Sequence, residues 1–122
     1  MASAAGNAIE MQNAVDFLKG TAIDNRLWDV TVAQGGELLA SGGLAEDAEA
    51  GCDMMRSAFE SGKAAEKFAE MVSALGGPAD FMEKPELYLA KANFEAPVYP
   101  FEDGVVTEID ARGVGVAVVA LG

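Results

Sequence analysis

The chain has 122 residues, enough for one globular domain and short for two. Its 20 acidic and 8 basic residues give a net charge of −12, which excludes charge-driven binding to nucleic acid or to an acidic membrane surface. Hydrophobic residues make up 51% and aromatics only 7%, so a packed core is expected, built from small side chains and close helix contacts.

The first predicted element is a helix over Ala8–Lys19. Asn7 is placed as its N-cap, with Glu10 reaching back in the manner of a capping box. Met11, Ala14, Val15 and Leu18 form its apolar face, and Lys19 followed by Gly20 is a stop. A second helix is predicted over Arg26–Ala40, capped by Asp24 or Asn25, with Trp28, Val32, Gly35 and Leu39 on one stripe and Leu27, Thr31 and Leu38 beside it. Gly35 and Gly36 fall inside it, each costing ~1 kcal/mol relative to Ala, and close approach of another backbone is the expected compensation. A third helix is predicted over Asp47–Glu60, with Ala48, Cys52, Met55 and Phe59 at helical spacing. The fourth runs over Lys63–Ala74, presenting Ala65, Phe68, Val72 and Leu75, and Gly76-Gly77-Pro78 ends it. Pro78 and Pro85 can each open a short turn, around Ala79–Met82 and Glu86–Leu89.

The texture changes after Lys91. Asn93–Tyr99 reads as extended, Glu102-Asp103-Gly104 as a turn, and Val105–Ile109 as an alternating strand. From Ala111 onward the valines favour a strand. Asp110 as a cap and Val114, Ala117, Val118 and Leu121 at helical spacing favour a helix. The expected fold class is therefore a helix-rich α/β fragment, four main helices followed by a short β pair. One strand pair makes a poor sheet alone, and the sequence closes on an apolar element, so a portion of a larger protein is expected.

Candidate chemistry is sparse. With no His, the chain lacks Ser-His-Asp and Cys-His catalysis and His-based metal sites. The single cysteine, Cys52, has no disulfide partner within the chain and sits on an apolar stripe, which reads as packing. Gly113-Val114-Gly115 is a weak match to a dinucleotide loop, since Val118 stands where the third glycine belongs. Gly62-Lys63-Ala64 resembles the end of a phosphate loop, but Ser57 occupies the first glycine position and Ala64 lacks the hydroxyl. Glu46, Asp47, Glu49 and Asp53 cluster, yet Ala48 and Ala50 break the alternation a calcium loop needs, and a solvated helix start explains them. Glu102 and Asp103 read as turn residues, and Met54, Met55 and Met71 as core filler. No apolar run approaches the ~20 residues of a membrane span. Met1–Gly6 lacks the order of a signal peptide, and the cytoplasm is the expected compartment.

Several segments carry a resemblance. They are Gly6-Asn7-Ala8-Ile9-Glu10 with Ala14-Val15-Asp16-Phe17-Leu18-Lys19-Gly20, Arg26-Leu27-Trp28-Asp29-Val30-Thr31 leading to Glu37-Leu38-Leu39 and Gly42-Gly43-Leu44-Ala45, Ser61-Gly62-Lys63-Ala64-Ala65-Glu66-Lys67-Phe68, and Leu75-Gly76-Gly77-Pro78-Ala79-Asp80-Phe81. The series ends with Asp103-Gly104-Val105-Val106, Asp110-Ala111-Arg112 and Gly115-Val116-Ala117-Val118-Val119-Ala120-Leu121-Gly122. In order and spacing the chain resembles the thymidine phosphorylase branch of the pyrimidine-nucleoside phosphorylases, as an internal piece. It departs at Gly113-Val114, where the family more commonly has Ala-Leu.

The resemblance implies a homodimeric enzyme several times longer, whose substrates lie in a cleft between a small helical domain and a large α/β domain. It implies cleavage of thymidine by phosphate to thymine and 2-deoxyribose 1-phosphate. It places residues 1–92 in the helical part of the large domain and 93–122 at the start of the C-terminal domain. The family's phosphate-binding Lys-His-Ser-Thr-Gly-Gly segment and its pyrimidine-binding Arg, Ser and Lys precede this region. No catalytic, cofactor-binding or metal-binding residue is therefore carried over, and no cofactor is expected. The expected role is scaffold, inactive alone. The alternative from another class is a free-standing acidic helical domain acting by protein contacts.

Overall fold

In the computed structural model, residues 4–121 are described, so the sequence readings that touch Met1–Ser3 and Gly122 lie outside the described residues. The elements are α1 (Asn7–Lys19), α2 (Asn25–Ser41), α3 (Ala48–Glu60), α4 (Lys63–Ala74), a 3-10 turn at Pro85–Leu87 and α5 (Ala111–Leu121).

The helix boundaries follow from local chemistry. The Asp24 carboxylate accepts from the Leu27 N–H at 2.8 Å, and Asp47 does the same for Ala50 at 2.8 Å. Each satisfies an amide that the first turn leaves open. At α1 the cap lies one residue earlier than expected. Gly6 is the N-cap, and Glu10 reaches back to accept from the Gly6 N–H at 2.8 Å. The far end closes as the sequence indicates. Gly20 takes φ 71°, and the Gly20 and Thr21 amides bond the Phe17 and Asp16 carbonyls, both at 3.0 Å. A residue with a Cβ would resist that left-handed turn.

The tightest packing joins α2 to α3. A Cβ on Gly51 would lie 2.4 Å from the Gly36 carbonyl oxygen, and one on Gly36 would lie 2.7 Å from the Ala48 carbonyl oxygen. The two backbones therefore touch directly. Gly35 leaves room for the Met55 side chain, which a Cβ would meet at 2.4 Å. The expected compensation for glycines inside a helix is thus the observed one. Above this contact, Trp28 of α2 and Phe59 of α3 meet edge to face at 4.7 Å between centroids, and Phe17 of α1 lies 6.0 Å from Trp28 and 5.6 Å from Phe59. Such pairs add ~0.5–1.5 kcal/mol beyond area burial.

A second cluster joins α1 to α4. Val15, Phe81 and Met82 are buried, with Leu18, Ala65, Phe68, Ala69, Val72 and Leu89 packed around them. Lys19 Nζ donates to the Met82 carbonyl at 2.7 Å, tying the end of α1 to this segment.

Packing ends near Leu89. From Ala90 to Leu121 every residue but the half-buried Val118 is exposed, including Phe94, Val98, Tyr99, Val105 and Ile109. The expected α/β class with a β pair around Gly104 is corrected here: the described residues contain helices, one 3-10 turn and irregular chain, and no strand. The physical reason lies in the partner segment. Pro97 and Pro100 have no N–H to give a ladder, and a two-stranded ribbon with nothing packed on its face is marginal in water. The ambiguous tail resolves as the helix α5, with Asp110 Oδ1 accepting from the Gly113 N–H at 2.9 Å.

Two outcomes follow for the isolated chain. Gly36→Ala or Gly51→Ala should lose ~1–3 kcal/mol by overpacking, outweighing the ~1 kcal/mol that Ala gains in helix propensity. Gly115→Ala, with nothing within 4 Å of the added carbon, should not lower the urea midpoint. Equal midpoints for all three variants would contradict the backbone contact. The uncovered apolar side chains of 94–121 should also drive self-association, opposed by the net charge of −12 and promoted by salt. Sedimentation at low and moderate salt reads this out, and a monomer at both would contradict it.

Candidate functional site

The residues singled out for chemistry do not converge. Cys52 lies half-buried at the α2–α3 contact, where its Sγ–H donates to the Val32 carbonyl at 3.5 Å. That is a packing environment. Gly113 and Gly115 lie inside α5, so they form no loop that could cradle a pyrophosphate. Gly62 is the left-handed N-cap residue of α4, and Lys63 and Ala64 continue as helix. In the acidic cluster, Asp47 is engaged as a cap and Asp53 pairs with Arg56 at 2.8 Å, while Glu46 and Glu49 face solvent. Among the described residues no group of three or more His, Cys, Asp or Glu is placed to hold a metal ion. Glu102 and Asp103 are exposed in irregular chain. Met55 packs on Gly35, but Met54 and Met71 are 45% and 47% exposed, so their expected role as core filler is corrected. Leu75, expected on the apolar face of α4, and Leu38, expected beside the α2 stripe, are likewise exposed, at 81% and 73%.

A cleft with recognisable walls was not anticipated from the sequence. It opens between the first turn of α1 and one face of α5, with a volume of about 250 Å3, lined by Gly6, Glu10, Ile109, Val114, Gly115 and Val118 among others. No Lys or Arg lines it, and its Glu10 carboxylate is already bonded to the Gly6 amide. Such walls suit apolar contact. Helical spacing in α5 was the sequence signal for its apolar wall, but nothing in the sequence pairs that wall with α1.

The most organised polar group is structural. Asp80, within the Gly76-Gly77-Pro78-Ala79-Asp80-Phe81 run, accepts from the Tyr88 hydroxyl and, at 3.2 Å, from Lys84 Nζ. Its carbonyl accepts from the Glu83 and Lys84 amides at 3.2 and 3.0 Å. Together these bonds fold the segment back on itself and turn Phe81 and Met82 toward Val15. Upstream, Gly76 at φ 88° lets the Gly77 amide reach the Val72 carbonyl at 2.9 Å, ending α4 so that the segment can turn. The hydrogen bond from Tyr88, followed by that from Lys84, holds the Asp80 carboxyl below its ordinary value of 3.8. The same bond to Asp80 raises the Tyr88 phenol above 10.0.

No family model matches the chain. Curated relatives do, along its whole length. It is 53% identical over 122 residues to a thymidine phosphorylase of Mesorhizobium japonicum, 49% identical over 122 residues to one of Burkholderia cenocepacia, and 50% identical over 123 residues to one of Burkholderia lata. In each case the match takes in 100% of this chain and 28% of the relative. The whole chain is therefore homologous to a part, somewhat over a quarter, of thymidine phosphorylase.

Because the folded value of Asp80 is depressed, its contribution to stability is present above the ordinary carboxyl pKa and fades as pH falls through the folded value. Tyr88→Phe should therefore move the Asp80 titration upward, toward 3.8, in a carboxyl-detected NMR titration. The stability advantage of the parent chain over Asp80→Asn should shrink on acidification below that value. An Asp80 titration unchanged by Tyr88→Phe would show that the hydrogen bond does not form in solution.

Proposed function

We propose that this chain is a scaffold portion of a thymidine phosphorylase, the enzyme that cleaves thymidine with phosphate to give thymine and 2-deoxyribose 1-phosphate. The observation that carries the reading is identity near one half along the whole chain to relatives of that name, of which it spans 28%. The absence of cationic side chains from the α1–α5 cleft supports a supporting role. Phosphorolysis requires phosphate, sugar and base to be held together with stabilisation for the charge that develops on the departing base. In this reading the groups that do so come from other parts of the polypeptide.

The proposal extends to organisation. Residues 1–92 belong to the large domain, and residues 93–122 begin the C-terminal part. The end of close packing near Leu89 and the exposure that follows support this division. The remainder of the enzyme covers the apolar side chains of 94–121. The whole enzyme works as a homodimer in the cytoplasm, with phosphate and a pyrimidine nucleoside as its partners and no role in nucleic-acid binding. A rigid support of this kind positions a cleft it does not line.

Two assays test the reading. The purified chain, given thymidine and phosphate, should release no thymine above the blank. The same sequence, exchanged for its 53% identical counterpart in the Mesorhizobium japonicum enzyme, should preserve phosphorolysis. Turnover by the chain alone would refute the scaffold role. A soluble, dimeric but inactive chimera would refute the assignment to this enzyme.

A further inference from the structure

We draw no further inference here: the strongest candidate, the exposed apolar surface patch along residues 94–121 and the cleft that α5 forms with the first turn of α1, carries nothing beyond the site already described, because covering it with the rest of the phosphorylase polypeptide restates the proposed function and nothing in the structure shows another occupant.

Discussion

The structure rests on one contact, the touch of the α2 and α3 backbones at Gly36 and Gly51. A Cβ on Gly51 would stand 2.4 Å from the Gly36 carbonyl oxygen, inside any tolerable separation. Glycine inside a helix costs ~1 kcal/mol against Ala, but overpacking a tight interface costs ~1–3 kcal/mol, so the smaller residue prevails at both positions. With so few aromatic side chains to fill space, close helix approach is the available route to dense packing. The contact also sets where Trp28 and Phe59 meet, and through them where Phe17 brings in α1.

From α1 the order passes to α4 and to the segment after it. Val15 is fully buried against Phe81 and Met82, and those two are presented by a turn that Asp80 holds through Tyr88, Lys84 and two backbone amides. The Gly-Gly-Pro-Ala-Asp-Phe run thus has a physical role: it ends a helix, reverses the chain and seals the small core. Beyond Leu89 no comparable device appears among the described residues.

Much of this was legible in the sequence, for reasons that can be named. The bounds of α4 agree with expectation because Gly62 and Gly76 mark its ends, and Asp24 and Asp47 cap where short acidic side chains should. The α1 cap differs by one residue because Glu10 bonds the amide of Gly6, while Asn7 enters the helix. The β pair failed because alternation in Val105–Ile109 reports only a half-buried preference, and pairing needs donors that Pro97 and Pro100 lack. Met54 and Met71 are exposed because helical periodicity identifies an apolar face without saying whether the chain itself covers it. The site was the least legible part. Cys52 packs and the acidic cluster starts a helix, as their sequence contexts indicate, and the two weakly matching glycine-rich runs lie at or within helices, but the α1–α5 cleft depends on long-range placement that no local pattern records.

The described residues divide into a helical unit packed together through Leu89 and a following segment whose apolar side chains are exposed. Amide hydrogen exchange on the 122-residue chain, at low salt and at a concentration where it is monomeric, tests this most directly. The expected result is strong protection in α2 and α3 around Gly36 and Gly51, protection in α1 and α4, and near-random-coil exchange from Asn93 through α5. Protection of α5 equal to that of α2 would contradict the division, because it would mean that the chain covers its own tail.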